Sequence, residues 1–253
     1  MSDILRVGLH LYTVRDDLKR DYRGTLIRAA AIGYHAISGY GDLGGMKPAA
    51  FRSFLADTGL IPVAGAMDLE AAERDPAAAV AAHAAVGASQ ACVMWLPEER
   101  RKDAAAVERT AGLFNSIGSA ARRAGIGFQY HNHAFEFELV EGRTILDRLV
   151  EATDPSLVGF QLDVGWVIRA GQEPAAWLRK LKGRVPTIHL KDTTAGPDPQ
   201  WTEIGNGVLD LAAARAASVE AGVKWWLVEQ DTCARPPMES AAISLRNASA
   251  LLG

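Results

Sequence analysis

Two textures alternate eight times along the chain, and this alternation constrains the fold more than any other feature. Short runs rich in Val, Ile, Leu and aromatic residues occur at Ile4–His10, Tyr34–Ser38, Ile61–Ala66, Gln90–Leu96, Ile126–His131, Leu157–Asp163, Pro186–Leu190 and Trp225–Glu229. Each is followed by a longer Ala/Arg/Glu/Leu stretch with apolar residues at helical spacing, at roughly 22–32, 48–58, 75–86, 104–124, 142–152, 174–181, 208–220 and 238–251. Nearly continuous apolar runs suit strands buried on both faces of a parallel sheet. Gly33, Gly125 and Gly222 stand where helix ends want a left-handed residue. Asp75-Pro76 and Glu173-Pro174 read as helix starts with proline in the first turn.

Eight β-then-α units in 253 residues predict one α/β domain over residues 1–253, a closed (β/α)8 TIM barrel. The rival is an open doubly wound sheet. No GxGxxG follows the first strand and no phosphate-cradling P-loop occurs anywhere, so the barrel is favoured. The irregular stretch at 195–207 reads as a loop over the active face.

Composition excludes several partners. With 49% apolar and 23% charged residues and a net charge of −3, the chain is an ordinary globular one without a basic nucleic-acid footprint. No run reaches the ~20 apolar residues that span a bilayer, so no membrane partner is expected. The N-terminus carries no signal-peptide pattern, and Cys92 and Cys233 have no metal spacing. The expectation is a cytoplasmic protein with two free thiols. A homo-oligomer is left open.

In such barrels chemistry sits at the C-terminal ends of the strands. Strand 5 ends in His131-Asn132-His133, strand 6 in Asp163, strand 7 in His189-Leu190-Lys191 and strand 8 in Glu229. Alternate residues share a face, so His131 and His133 point one way, and His189 and Lys191 likewise. Counted from their strand starts, His131, Asp163, His189 and Glu229 fall at nearly one height. Mixed nitrogen and oxygen donors of this kind suit a divalent metal: Mn, Mg, Co, Zn or Fe. A strand-end carboxylate is often only a cap, and a buried His often only a core residue. Four in one layer would be costly to bury unpaired. Glu136 could reach substrate or metal from its loop, or simply lie in solvent. Lys191 could face a developing oxyanion or pair with Asp163 or Glu229. His10 and Arg15 could line the mouth, and Trp166 and Trp201 could wall a sugar pocket.

At these residues the chain resembles the xylose-isomerase-like barrels, the sugar phosphate isomerase/epimerase family. The resemblance runs through GLHLYTVRDDL (8–18), YHNHAFEF (130–137), LDVGWVIRAG (162–171), IHLKD (188–192), EIGNGVLD (203–210) and WWLVEQD (225–231). It implies a small-molecule carbohydrate substrate and a metal held by Glu, Asp, His and Glu from strands 5 to 8. The last three fall on Asp163, His189 and Glu229, and the first on His131, a departure. Two-carboxylate epimerases use both glutamates as opposed acid and base. Here Glu136, His133 or Lys191 would have to supply the second proton-transfer group. The family also contains a DNA-repair endonuclease branch with a richer metal set; Ser38 replaces a common Glu, and Ala66-Met67 stand where a His is common, which disfavours that branch.

The leading expectation is therefore a metal-dependent isomerase or epimerase of a keto-sugar, inosose or related polyol. Glu229 or Glu136 would take the proton next to a carbonyl to give an enediolate, with Lys191 stabilising its charge. The alternative is a dehydratase, lyase or hydratase in which the same intermediate expels a β-oxygen, with an imidazole as acid; His131 favours it. A third reading is a barrel without turnover, whose mouth would be plugged near Trp166 and Trp201.

Overall fold

A computed structural model describes residues 5–252. Eight parallel strands close on themselves: β1 (Arg6–His10), β2 (Ala36–Tyr40), β3 (Ile61–Met67), β4 (Gln90–Val93), β5 (Gly127–His131), β6 (Gly159–Asp163), β7 (Thr187–Leu190) and β8 (Trp225–Val228). Each strand pairs with its neighbours in sequence and β8 returns to β1, so the (β/α)8 barrel is observed and the open sheet is excluded. Ile4, expected to open the first strand, lies outside the described residues.

All eight anticipated helices form within a few residues of their expected bounds, for example α6 (Ala104–Arg123) and α10 (Leu211–Ala221), numbering all α-helices from the N-terminus. Three more were not anticipated: α1 (Arg15–Arg20), α4 (Leu69–Arg74) and α8 (Val164–Arg169). All three are six-residue turns just past a strand end, too short for a periodicity reading. Asp75 and Glu173 cap helices as expected, accepting from the Ala78 amide and from the Ala175 and Ala176 amides. Gly222 ends α10 at φ 81°.

α6 shows how the ring is held. Val107, Ala111, Phe114, Ile117 and Ala121 are buried along one stripe, and Phe114 packs on Phe128 and Tyr130 of β5 at 5.4 and 5.1 Å. Each such large apolar side chain contributes about 2–3 kcal/mol of burial.

Inside the barrel a polar layer underlies the mouth. The Gln161 amide donates to Thr187 Oγ1 at 2.8 Å, and the Thr187 hydroxyl donates to Gln129 Oε1 at 3.0 Å. These residues stand two positions before Asp163, His189 and His131. The pleat therefore directs all three of the latter inward, toward the C-terminal opening. Cys92 is buried and Cys233 half-buried, both as free thiols. No helix among the described residues is long and apolar enough to cross a membrane.

Candidate active site

The strand register does not place the four expected ligands side by side. Asp163 pairs with His189, but His131 pairs with Gln161 and His189 with Leu227. Strand tilt in a closed barrel brings residues of different register level with one another. His189 Nδ1 lies 2.6 Å from Glu229 Oε2 and 3.7 Å from Asp163 Oδ2, and His131 Nε2 lies 4.0 Å from the same Asp163 oxygen. Two overlapping trios could each hold a metal ion: His131, Asp163 and His189, and His10, His189 and Glu229. His189 belongs to both. All five residues are buried.

Backbone features fix these side chains. Asp163 caps α8, with Oδ1 accepting from the Trp166 amide at 2.9 Å, which leaves Oδ2 turned to the centre. The Asn132 side chain, on the opposite face from its histidine neighbours, accepts from the Asp163 amide at 3.0 Å. His10 Nδ1 meets Ser38 Oγ at 2.9 Å, so Nε2 faces Glu229 Oε1 at 3.9 Å.

Lys191 is the central charge. Its Nζ lies 3.1 Å from Asp163 Oδ2, 3.1 Å from Glu229 Oε2, and 3.1 and 3.2 Å from the two oxygens of Asp231. Asp231 escaped the sequence reading, although it stands two residues after Glu229 on the same alternation. Burial alone would lower the Lys191 pKa, but the three carboxylates outweigh it and raise it. Glu229 is held well below the usual carboxylate range: burial opposes this, and Lys191, His189 and His10 overcome it. Burial pushes His10 down to about 3 and His133 to about 4, with His131 also well below the ordinary imidazole value. Burial disfavours the charged form of all three rings.

The residues fit a cation. Asp163 Oδ2, Glu229 Oε2, both nitrogens of His189 and Nδ1 of His131 are buried without an aligned hydrogen bond. The contacts of Lys191 and of His189 to Asp163 Oδ2 and Glu229 Oε2 are close without hydrogen-bond alignment. The donor atoms of each trio lie within 4.8 Å of one another, and buried oxygen and imidazole donors gathered at that spacing suit a divalent ion.

A cavity of about 480 Å³ opens above this cluster, so the mouth is not plugged. His10, His131, His133, Trp166, Lys191 and Glu229 line it, as do Tyr12, Trp95 and Asp231, which the sequence reading missed. Tyr12 lies in a short 3-10 turn after β1 and Trp95 in the loop after β4, where no periodicity marks an aromatic ring as pocket-facing.

Three expected residues stand elsewhere. Glu136 is fully buried on the outer side of β5, where it accepts from the Tyr130 hydroxyl and from the His133 amide. Tyr130 alternates with His131 and so faces α6, and it takes Glu136 with it. Arg15 lies over the Tyr12 ring at 4.1 Å and donates to the Tyr12 carbonyl at 2.9 Å, outside the cavity. Trp201 backs Trp166 edge-on at 4.8 Å and is itself covered by the Arg169 guanidinium at 3.3 Å. It supports the wall without being its surface.

The inosose dehydratase of Lacticaseibacillus casei is 28% identical over 153 residues, covering 53% of this chain and 51% of that protein. The chain thus spans about half the length of the curated relatives it matches. A solved sugar phosphate isomerase/epimerase from Parabacteroides distasonis superposes with a TM-score of 0.85 at 23% identity, covering 100% of this chain and 96% of the other. The IOLI protein, solved with a binding zinc atom, superposes with a TM-score of 0.76 at 14% identity over 98% of each chain. At these identities the two structural likenesses show the fold alone. The model of the xylose isomerase-like TIM barrel family matches residues 26–248, and the chain belongs to that family.

Proposed function

We propose that this protein is a divalent-metal-dependent dehydratase, a lyase that removes water from an inosose or related keto-polyol. The observation that carries this reading is the pair Glu229 Oε1 and His10 Nε2, 3.9 Å apart at the cavity. Two-base epimerisation needs opposed groups on both faces of the reacting carbon. Glu136, one of the groups considered for that second base, is turned away against Tyr130. Both Asp231 oxygens are engaged by Lys191. Glu229 Oε1 is then the carboxylate edge left facing the substrate space.

Dehydration needs no second face. Glu229 Oε1 takes the proton on the carbon beside the carbonyl. The electron pair of that C–H bond moves toward the carbonyl and returns as the carbon–oxygen bond to the β-hydroxyl breaks. His10 Nε2, beside Oε1, takes that proton from Glu229 and passes it to the departing hydroxyl, which leaves as water, so both side chains end in the protonation state in which they began. Ser38 holds His10 in position for this. His133 and Trp166 bound the substrate ring. His131, Asp163, His189 and Glu229 would hold the metal, which when bound polarises the carbonyl and acidifies its neighbouring C–H. The curated relatives named inosose dehydratase support the same reading.

Deuterium wash-in with metal-loaded protein and a panel of inososes and ketoses tests it. We expect exchange at the carbon beside the carbonyl, together with a product lighter by one water and absorbing in the ultraviolet. Exchange with an isomeric product and no water loss would restore the isomerase or epimerase reading. Absence of exchange across the panel would count against both.

A further inference from the structure

The cavity is two-sided. Every titratable group that reaches its surface comes from the arc of β1 and β5 to β8 and the residues that follow them: His10, Tyr12, His131, His133, Lys191, Glu229 and Asp231. Across the arc from β2 to β4 the lining is Gly39, Ala66, Met94 and Trp95. Small side chains there widen the mouth on the side that carries no chemistry.

The space exceeds what one ring needs. A six-carbon polyol displaces roughly the volume of six waters, about 180 Å³ at about 30 Å³ each. The cavity holds about 480 Å³. Beyond it a second depression of about 430 Å³ shares Ala66, Met94 and Trp95 with the first and is bordered by the polar residues Asp68, Glu70 and Arg100. Trp95 stands between them, 54% exposed, and Tyr12 at the mouth is 48% exposed. An indole exposed between two polar-rimmed depressions presents an apolar face to whatever occupies them. Trp95 is already held in place, edge-on to His133 at 4.9 Å and to Phe135 at 4.8 Å. A pre-positioned aromatic ring beside polar groups suits the face of a second ring that carries hydroxyls.

We propose that the β2–β4 arc is a second subsite, and that the preferred substrate is a glycoside whose keto ring sits at the metal side and whose second ring lies on Trp95. The proposal rests on the catalytic reading above only for which end the keto ring occupies.

The test compares one keto-sugar as its methyl, phenyl and glucosyl glycosides, with the methyl compound as the control for linkage without a ring. We expect kcat/KM for the glucosyl glycoside to exceed that for the methyl glycoside by about tenfold or more. In Trp95→Ala this ratio should fall close to one. The phenyl arm separates the two ring types: a gain with phenyl alone would assign the subsite to an aromatic aglycone and overturn the sugar assignment implied by Asp68, Glu70 and Arg100. Calorimetric binding of the matching non-keto glycosides, which cannot react, reads the subsite apart from the chemistry. Ring-dependent affinity without turnover would leave the subsite standing and remove the proposed reaction. Equal affinity for the methyl and ringed compounds, or a preference untouched in Trp95→Ala, would overturn the subsite.

Discussion

Lys191 Nζ and the Asp231 carboxylate meet at 3.1 and 3.2 Å, and this pair decides how the site balances its charge. The same ammonium lies 3.1 Å from Asp163 Oδ2 and from Glu229 Oε2. Removing it would leave the buried Asp163 and Glu229 carboxylates and the half-buried Asp231 facing one another. A broken buried ion pair typically costs about 3–5 kcal/mol. We expect Lys191→Met to melt about 10 °C below the parent in metal-free buffer. Added Mn should raise the melting temperature of the variant more than that of the parent, because the ion replaces the lost charge. Scanning calorimetry with and without Mn measures both. An unchanged melting temperature would show that Lys191 does not balance these carboxylates.

Glu229 and His10 are expected to separate cleanly by substitution. Glu229→Gln keeps the volume and removes the proton acceptor, so deuterium wash-in should disappear while the fold persists. His10→Asn leaves Glu229 in place and removes the donor to the departing hydroxyl. Its wash-in should persist while water loss falls about 10²–10⁴-fold, the usual contribution of one positioned acid or base. Mass spectrometry of the substrate pool reads the first and product absorbance the second. Equal loss of both rates in His10→Asn would show that His10 is needed for proton abstraction, and its assignment as the donor would fail.

Glu136 should shape stability rather than turnover. Burial pushes its carboxyl up to about 7, against the opposing hydrogen bonds from the Tyr130 hydroxyl and the His133 amide. Between the ordinary value near 4.5 and 7 the folded chain binds the proton more tightly than the unfolded chain. The Glu136 contribution is therefore fully present below about 4.5 and is lost as pH rises toward 7, up to about 3 kcal/mol in all. His10 and His133, whose pKa values are lowered, act in the opposite sense, since acid favours their unfolded forms. The comparison with Glu136→Gln isolates the carboxyl. Glutamine can accept from the His133 amide and donate to the Tyr130 oxygen. Denaturant titrations from pH 5 to 7.5 should show the variant gaining on the parent as pH rises, with turnover kept within a few-fold.

The barrel was legible because eight strand and helix textures repeat, and because strand ends are where such folds keep their polar groups. Asp163, His189 and Glu229 could be named for that reason: each is a polar residue at or next to the end of an apolar run. Lys191 could be named but not assigned, since its partner Asp231 lies beyond the strand. Glu136 was misplaced because a loop residue has no period. Only the coordinates show it following outward-facing Tyr130. Arg15 and Trp201 failed in the same way, each one contact behind the surface it was expected to form. Small residues gave the weakest signal of all. Ser38 and Ala66 read as departures from a pattern, and only the cavity shows the space they open.

Gly39 offers the last test, because a residue without a side chain governs the position of one with chemistry. It holds φ at 69°, and the pairing of β2 with β3 shifts register between Ser38 and Tyr40. A Cβ there would lie 2.2 Å from His10 Cε1. The His10 ring cannot yield freely, since His189 packs against it at 4.2 Å and Ser38 holds Nδ1. Gly39→Ala therefore adds a left-handed alanine, at roughly 1–2 kcal/mol, and drives the imidazole off its line to Glu229. We expect the melting temperature to fall by a few degrees and water loss to drop nearly as far as in His10→Asn, while deuterium wash-in survives. Ser38→Ala, which frees the ring without pushing it, should fall between the parent and Gly39→Ala. If Gly39→Ala eliminated water at the parental rate, the fixed placement of His10 would have no part in the reaction.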